Sequence, residues 1–492
     1  MLRQRVVAVA MALALAGCGG AASYAARPAQ PAFDASGPDA AYYGAGPAGF
    51  PRADRSNWWS LGYLVDSHTR LDEILRARVV ARAAVPSPLR RAAREPATTY
   101  GFEGESRTLD GYLARHPATG LLIAQGDTIL VERYQYGRRD THRFTSWSMG
   151  KTITAVLVGI AIEEGRIRSI DDRADAYVPE LAGTEYGLTP LRHLLTMSSG
   201  VKFIENYSGR DDVSLLVTDT FEGGGPGGPS AVVGFNERLR RPGSAFSYAS
   251  AETQVLGLVL RAAVGQPLAD YLSDRIWRPM GAEADAIWLI DNVGMESAYC
   301  CVNAVLRDYA RLGLLLAHDG RLGDRQIIPR PWLLAATTVP AESWHLKPYA
   351  ATRYFGYGYQ TWIFPGARRM FALLGVRGQA IYVEPASKLV LVHTAVRKLP
   401  VDPGGDELLA LGGHPRAARR RPIASPCSLG TLVSKVLVPT SVVAPTGFGH
   451  AGAVSSRVKL STKESRASGN GGRRAVPANE AARRRATGLV RR

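Results

Sequence analysis

An apolar run from Ile153 to Ile162 constrains the fold of this chain more than any other feature. It reads Ile-Thr-Ala-Val-Leu-Val-Gly-Ile-Ala-Ile, and Gly165 follows as a helix end signal. A helix that is hydrophobic on all sides has to be buried. Directly before it stands Ser148-Met149-Gly150-Lys151, so the sequence predicts a hydroxyl and an amine one turn apart at the start of a buried helix.

A serine and a lysine in this arrangement can act as nucleophile and base without a histidine. The free N–H groups at the helix start also favour a developing oxyanion. The same spacing occurs at Ser199–Lys202, in a polar turn, and at Ser456–Lys459, in a basic, Ser-rich segment. We therefore predict that only Ser148 and Lys151 are catalytic. The alternative is that Ser148 merely caps the helix while Lys151 extends outward.

A second candidate segment is Tyr248-Ala249-Ser250, which follows a turn at Pro242-Gly243. A serine hydroxyl needs a partner that accepts its proton and later returns one to the leaving group. Lys151 can accept it if burial lowers its pKa, and a phenol held beside it on a loop can relay it. Tyr271-Leu272-Ser273 has the same pattern but lies in a predicted helix, so Tyr248 is the better candidate. An ordinary half-buried tyrosine is the alternative.

The N-terminal residues resemble a bacterial lipoprotein signal peptide. Arg3 and Arg5 precede an apolar stretch, Val6–Leu15, that is too short to span a bilayer as a mature helix. Leu15-Ala16-Gly17-Cys18 follows, which predicts cleavage before Cys18 and a lipid anchor on its thiol. Gly19 does not resemble an inner-membrane retention signal, so we expect an outer-membrane protein facing the periplasm. The alternative is an ordinary signal peptide with an incidental cysteine.

The remaining cysteines are Cys300, Cys301 and Cys427. Adjacent cysteines rarely bridge each other, so Cys300 and Cys301 are expected to be buried thiols. The sequence contains no C-x-x-C and no H-E-x-x-H, and we predict no metal and no cofactor. Arg307-Asp308 is expected to be a buried ion pair.

The net charge of +17 is unevenly distributed. From Gly412 to Arg492 there are 16 Lys and Arg against two Asp and Glu, which leaves about +3 for everything before. The C-terminal segment has one aromatic residue, Phe448, and none interleaved with its arginines. This composition is typical of a disordered, solvated segment, and we predict no nucleic-acid partner.

Composition divides the chain into five zones. Leu399–Ala410 is predicted to enter a terminal helix before the composition changes abruptly. We therefore hypothesise a reading-frame change that replaces the last helix of the fold and would leave its partner surface uncovered. The predicted zones are a signal peptide (1–17), a flexible Ala/Gly/Pro-rich tether (18–55), a helical extension with a helix around Asp66–Ala83 (56–100), a folded body (101–410) and the basic tail (411–492).

Strand patterns occur at both ends of the predicted body. Leu121–Gln125 and Thr128–Arg133 flank Gly126-Asp127 as a hairpin. Three more segments alternate with turn residues near the end: Phe371–Val376, Gln379–Val383 and Lys388–Val392. The centre is mostly helical, with a Gly/Pro-rich stretch at Gly223–Pro229. The pattern predicts an α+β fold in which the terminal strands share one sheet.

Four segments carry a family resemblance: Phe144–Thr152, Leu191–Gly200, Pro242–Ser250 and Asn303–Gly313. In this order they resemble the serine β-lactamase-like family of class C type, and within it the esterase and amide-hydrolase branch that includes 6-aminohexanoate-dimer hydrolase. The resemblance covers about 101–410. It implies an α/β/α sandwich with an antiparallel sheet and an all-helical region, with Ser148 as acyl-forming nucleophile, Lys151 as general base and Tyr248 as proton relay.

One family motif is missing. The segment that matches Lys-[Ser/Thr]-Gly reads Leu373-Leu-Gly-Val-Arg-Gly-Gln379, so a cation for the carboxylate of a β-lactam is absent. Gly375-Val376 can still supply a backbone N–H, and we assign the oxyanion hole to the N–H groups of Ser148 and Val376. Arg377 is a candidate substitute anion binder, with an exposed arginine in a turn as the alternative. Ser250 replaces the family's usual asparagine, and we assign it with Gly375 to substrate binding.

These features together predict a serine hydrolase that acts through an acyl-enzyme on small-molecule carboxylic esters or linear amides. The alternatives are a β-lactamase, a D-alanyl-D-alanine carboxypeptidase-like enzyme, or a non-hydrolytic lipoprotein that binds ligands in the cell envelope. The sequence does not indicate an oligomeric state.

Overall fold

A nine-stranded sheet forms the centre of the fold in the computed structural model, which describes residues 30–401 and 405–413. A second sheet has four strands, and two short hairpins complete the β-structure of the described residues. The strands are β1 (Ala32–Phe33), β2 (Ala77–Val80), β3 (Arg90–Arg91), β4 (Thr99–Phe102), β5 (Glu105–Thr108), β6 (Ala118–Gln125), β7 (Thr128–Tyr134), β8 (Arg143–Thr145), β9 (Ala286–Leu289), β10 (Val302–Val305), β11 (Arg321–Leu322), β12 (Arg325–Gln326), β13 (Gly356–Tyr357), β14 (Trp362–Ile363), β15 (Phe371–Gly375), β16 (Gln379–Glu384) and β17 (Leu389–Ala395).

The helices lie mainly between β8 and β13 in the chain. They are α1 (Leu64–Ser67), α2 (Leu71–Ile74), α3 (Leu109–Arg115), α4 (Gly150–Glu163), α5 (Leu191–Leu195), α6 (Asp212–Val217), α7 (Ser230–Val233), α8 (Ser250–Val264), α9 (Leu268–Leu272), α10 (Leu306–Ala317), α11 (Arg330–Ala336) and α12 (Gly405–Gly413). Two π-helical turns, Thr218–Glu222 and Ser273–Trp277, extend α6 and α9. Single 3-10 turns include Trp147–Met149 before α4 and Val376–Gly378 after β15.

The large sheet brings the two ends of the folded body together, as the sequence predicts. Its order is β1-β7-β6-β17-β16-β15-β14-β13, so β17 near the C-terminus pairs with β6 near the start. The β6–β7 hairpin turns at Gly126, which has a φ of 65°. In the order just given, all neighbouring strands from β7 to β13 pair antiparallel. β1 and β3 pair with β7 in parallel.

Alternation along the strands gives this sheet two buried faces. Leu122, Ile381 and Val392 lie in the main core together with residues of α4 and α10. Their neighbours on the opposite face, such as Leu121 and Leu391, pack with residues of α3 and α12. Because successive side chains of a strand point to opposite faces, both faces need a helical cover. The result is the predicted three-layer sandwich.

The apolar run of the sequence forms α4. Every residue from Gly150 to Ala161 is buried, and the helix packs against α8 and α11. Burying one Val, Leu or Ile side chain contributes roughly 1.5–3 kcal/mol, so this helix is a major part of the core. The chain leaves the helix at Gly165, whose φ is 68°, as the end signal predicts.

Residues 30–55 are not the predicted flexible tether. β1 pairs with β7, and Tyr43 is fully buried with its ring 5.6 Å from that of Tyr136. Composition failed here because a few aromatic residues anchor a segment that is otherwise rich in Ala, Gly and Pro. Residues 1–29 lie outside the described part of the chain.

The predicted helix at Asp66–Ala83 is also wrong. Only the single turns α1 and α2 form, and β2 then pairs with β9 in the four-stranded sheet, whose order is β2-β9-β10-β8. Val79 and Val80 are β-branched and suit a strand once a partner is available. Residues 56–100 therefore belong to the folded body.

Two further expectations differ from the structure. Cys300 and Cys301 form a disulfide, so the prediction of free thiols is wrong; Cys301 has a φ of 72°, a turn conformation that the sequence pattern does not reveal. Arg307 pairs with Glu132 and not with Asp308, which accepts from Arg311. Within the described residues, no single helix is long and apolar enough to cross a membrane. Only α8 and the segment 268–277 reach the necessary length and apolar character when taken together, and they are bent by 78° relative to each other.

The terminal helix α12 covers the outer face of the large sheet. Leu408 and Leu411 are buried there, and the carboxylate of Glu407 accepts from the hydroxyl of Tyr100 at 2.6 Å. Glu407 also pairs with Arg115 at 2.6 Å. The surface that the frame-change hypothesis would leave uncovered is thus occupied by α12. The frame change itself stays a prediction, and the tail after Gly413 lies outside the described residues.

Glu407 is expected to stabilise this arrangement at neutral pH. Burial opposes its ionisation, but hydrogen bonds from His116, Tyr100 and arginines outweigh burial and lower its pKa to about 2. Glu407→Gln should cost roughly 1.5–3 kcal/mol of unfolding free energy. The contribution is present above the carboxyl's unfolded pKa and is lost as pH falls toward the folded value.

Urea unfolding at pH 7 and at about pH 3 measures this difference. The gap between Glu407→Gln and the parent should shrink at the lower pH. Glu105→Gln is the control, because Glu105 is exposed and pairs with Arg107, an arginine that also contacts Glu407. Equal gaps at both pH values would refute the prediction.

Candidate active site

Ser148 lies in the 3-10 turn that connects β8 to α4. The preceding residue, Trp147, has a φ of 41°, which is uncommon for a bulky side chain. Its indole N–H donates to Nε2 of the buried His68 at 3.0 Å, and its ring lies 5.1 Å from that of Trp59. These contacts hold a strained turn of the kind found at functional sites, and they leave Ser148 half-buried at a cavity.

Lys151 lies one turn further on, inside the fold. Its side chain is buried, so the alternative in which it extends outward is wrong. The Nζ atom donates to Ser148 Oγ at 3.1 Å, to Ser250 Oγ at 2.9 Å and to the carbonyl oxygen of Tyr299 at 3.1 Å. Burial lowers the pKa of Lys151 to about 8, against the opposing charge of Glu205. The neutral form of this amine is therefore a minority at pH 7, but a far larger one than for a lysine with an unperturbed pKa.

Tyr248 faces the same pair. Its ring stacks on Trp362 with centroids 5.4 Å apart, and Lys151 Nζ lies 4.9 Å from its centroid. Burial and the charge of Glu205 raise the pKa of Tyr248 well above its ordinary value, although a hydrogen bond with Ser148 opposes this. The phenol therefore keeps its proton when Lys151 loses one. This geometry suits Lys151 as base and Tyr248 as proton donor.

Gly375 lets the end of β15 approach the nucleophile. A Cβ atom at this position would lie 2.4 Å from the carbonyl oxygen of Ser146, so no other residue fits without displacing the backbone. The next residue, Val376, borders the same cavity as Ser148. The assignment of the oxyanion hole to the N–H groups of Ser148 and Val376 stays a prediction.

Arg377 is neither exposed nor directed at the cavity. It is buried, with a φ of 60°, and its guanidinium donates to the carbonyl oxygens of Arg397 and Lys398 at 2.8 and 2.9 Å. The guanidinium also lies 4.4 Å from the ring centroid of Trp59. The expectation of an exposed arginine is wrong, and these contacts do not favour a role in binding a substrate anion.

The cavity beside Ser148 has a volume of about 430 Å³. Six of its eighteen lining residues are aromatic, and two carboxylates face it. Among the described residues that line it, none is a lysine, arginine or histidine. They are Trp58, Trp59, Trp147, Ser148, Glu205, Tyr207, Ser208, Gly209, Val213, Ser214, Val217, Thr218, Phe221, Glu222, Ser250, Tyr299, Cys300 and Val376.

The arrangement of Ser148, Lys151 and Tyr248 can be compared with known proteins. A model of the Beta-lactamase family matches residues 106–412, more than half of the chain. The chain belongs to the Beta-lactamase family. It is a serine hydrolase with the fold that this family shares.

Two relatives support this assignment. The chain is 26% identical over 366 residues to 6-aminohexanoate-dimer hydrolase of Paenarthrobacter ureafaciens, which covers 73% of this chain and 91% of that protein. A solved structure of a Bacillus anthracis protein assigned as a 6-aminohexanoate-dimer hydrolase superposes with a TM-score of 0.67 at 24% identity. It covers 74% of this chain and 96% of that one, and it shows that the fold is shared.

The competing Ser-x-x-Lys pair does not form a site in this Beta-lactamase family member. Ser199 is fully buried and donates to the carboxylate of Glu252 at 2.5 Å. Lys202 is exposed and pairs with Glu237 at 2.7 Å. Ser456 and Lys459 lie outside the described residues.

Sequence reasoning missed several residues at the site. Glu205 accepts hydrogen bonds from Ser250, and Tyr299 supplies a carbonyl oxygen to Lys151. Trp58 and Trp59 line the cavity although they precede the matched family region. The segments that contain Glu205 and Tyr299 carry no recognisable motif. A backbone carbonyl acceptor such as that of Tyr299 also does not depend on the residue type, so the sequence cannot indicate it. Of these residues, only the adjacent pair Trp58-Trp59 stands out in the sequence as a possible part of an apolar binding surface.

Ser148→Ala is expected to lower turnover of p-nitrophenyl butyrate by several orders of magnitude, because it removes the attacking oxygen. Ser208→Ala is the matched control, since Ser208 is an exposed serine at the same cavity. Ser199→Ala, measured per folded molecule, should also retain most activity. Similar losses in Ser148→Ala and Ser199→Ala would contradict the assignment.

Proposed function

We propose that this enzyme hydrolyses uncharged carboxylic esters and linear amides through an acyl-enzyme on Ser148. The observation that carries the proposal is the cavity: it is aromatic and acidic, and no cationic side chain among the described residues lines it. A site of this kind favours neutral or cationic substrates and disfavours anionic ones.

The proposed reaction begins when Ser148 Oγ attacks the substrate carbonyl carbon and its proton passes to the neutral amine of Lys151. The N–H groups of Ser148 and Val376 stabilise the oxyanion that forms. As the intermediate collapses, Tyr248 donates its proton to the leaving oxygen or nitrogen, and Lys151 returns a proton to the phenolate. Water then attacks the acyl-enzyme with the same groups as base, and the acid is released as the Ser148 hydroxyl is restored.

The aromatic wall of the cavity is suited to binding an apolar acyl group of the substrate. Trp58 lies 5.9 Å from Phe221 and 6.1 Å from Trp147, measured between ring centroids, so the rings form a continuous surface. Penicillins and cephalosporins carry a carboxylate that would enter a cavity already holding Glu205 and Glu222. A charge-assisted hydrogen bond is worth roughly 1.5–3 kcal/mol, so its absence should weaken such substrates by one to two orders of magnitude.

A linear amide with a terminal ammonium is the second candidate substrate. Glu205 and Glu222 are two carboxylates in one cavity, and their negative charges favour a cationic substrate group over an anionic one. The relative from Paenarthrobacter ureafaciens is named for hydrolysis of a 6-aminohexanoate dimer, a linear amide. Tyr248 in the Tyr248-Ala249-Ser250 motif supports placement among class C type enzymes, whereas Ser250 departs from the family's usual asparagine.

Comparing kcat/KM for three substrates on one preparation tests the proposal. We expect kcat/KM for p-nitrophenyl butyrate to exceed that for the linear 6-aminohexanoate dimer, because 4-nitrophenolate leaves without the protonation that an amine needs and because the dimer also carries a terminal carboxylate. Nitrocefin should be far slower than either. Nitrocefin turnover equal to that of the ester would mean a β-lactamase, and a preference for the dimer would mean an amidase. No turnover and no covalent labelling by a fluorophosphonate would mean a non-hydrolytic binder.

The proposal includes a location in the bacterial cell envelope, through a lipid on Cys18. The signal-like segment at residues 1–17 supports it. The Cys300–Cys301 disulfide also fits an oxidising compartment. In a Gram-negative host, Cys18→Ala should move the protein from the membrane fraction to the soluble periplasm. A parent protein that is itself soluble, with no lipid on Cys18, would refute the anchor.

A further inference from the structure

Glu205 is a carboxylate at the active site that the proposed reaction does not use. It lies in the loop before α6 and lines the cavity. Its Oε2 atom accepts from the backbone N–H of Ser250 at 2.7 Å, and Oε1 accepts from the Ser250 hydroxyl at 2.9 Å. The hydroxyl of Tyr207 donates to Oε1 at 2.8 Å. Three donors therefore fix this carboxylate against the start of α8.

The contact with Glu205 sets the direction of the Ser250 hydrogen bonds. A serine hydroxyl has one proton, and a carboxylate can only accept. Because Ser250 gives its proton to Glu205, its lone pairs remain for Lys151, whose Nζ donates to Ser250 Oγ at 2.9 Å. The chain of donors thus runs from Lys151 through Ser250 to Glu205.

This direction decides where the free base of Lys151 points. A neutral amine keeps two protons and one lone pair. Two of the three neighbours of Nζ accept throughout: the carbonyl oxygen of Tyr299 has no proton to give, and Ser250 has committed its own. The lone pair must then face the third neighbour, Ser148, 3.1 Å away. That is the group whose proton the base has to remove.

We propose that Glu205 is a positioning residue for the general base: by holding the Ser250 hydroxyl proton, it makes Ser250 an acceptor toward Lys151 and directs the lone pair of Lys151 at Ser148. The inference rests on the proposed function, because it requires Lys151 to be the base. Without Glu205, the Ser250 hydroxyl is free to donate to Lys151 and to occupy that lone pair.

Glu205 also acts on Lys151 through its charge. The other groups that face Nζ are Ser148, Ser250 and the phenols of Tyr248 and Tyr299, which burial keeps neutral. Burial lowers the pKa of Lys151 and Glu205 raises it. Removing the negative charge should therefore lower the pKa of Lys151 further. A base works when deprotonated, so the rising limb of the pH–rate profile should move to lower pH.

The test measures kcat and KM for p-nitrophenyl butyrate between about pH 5 and pH 10 in Glu205→Gln, Glu205→Asp and Glu237→Gln. In Glu205→Gln, the rising limb should move down by about one pH unit and the plateau kcat should fall about tenfold or more, with little change in KM. Glu205→Asp keeps the charge, so its limb should stay near that of the parent while its shorter side chain lowers the plateau. Glu237→Gln is the control, because Glu237 is exposed and contacts Lys202.

The outcomes separate this inference from the proposed function. A plateau fall without a limb shift in Glu205→Gln would mean a merely structural role and would overturn the inference. A limb shift with an unchanged plateau would overturn the positioning role, since the base would then not need Ser250 to be held. If Lys151→Met has no effect on the profile, the proposed function fails whatever Glu205 does. Should Glu205→Gln not fold, a parent-like plateau in Glu205→Asp and Ser250→Ala would overturn the inference.

Discussion

The buried amine of Lys151 is the interaction on which the site depends. A charge inside a protein is costly unless hydrogen-bond partners surround it, and Nζ finds three of them. They come from the turn before α4, from the first residue of α8 and from the segment before β10. The amine can therefore be buried, with its pKa lowered to about 8, only where these three elements meet. The catalytic pair is therefore complete only where these three elements pack together.

The large sheet positions the second backbone N–H group of the proposed oxyanion hole, that of Val376. Ser148 follows β8, and Val376 follows β15, the strand of the large sheet whose end approaches the nucleophile. The closeness of the two depends on Gly375, because any side chain there would strike the carbonyl oxygen of Ser146. A strand end and a helix start are both rigid, so their backbone N–H groups can be held ready for an oxyanion without further ordering.

Local patterns predicted the parts of the fold that depend on local order. The β6–β7 hairpin, the strands from Phe371 onward and α4 could all be read from periodicity and turn residues. Residues 30–100 could not, because β1, β2 and β3 gain stability only from β7 and β9, which lie far along the chain. The site divides in the same way. Ser148 and Lys151 share one helix turn, whereas Glu205 meets Ser250 from a loop 45 residues away.

The N-terminal extension accounts for much of the cavity's chemical character. Trp58 and Trp59 precede the matched Beta-lactamase family region, yet both line the wall beside Ser148. Trp59 also covers the guanidinium of Arg377, the residue directly after Val376. The segment thus adds an apolar surface and helps to keep Arg377 away from any substrate. Glu205 and Glu222 are then the charged groups among the described lining residues. Selection against anionic substrates therefore follows from the covering of Arg377 by Trp59 as well as from the missing lysine motif.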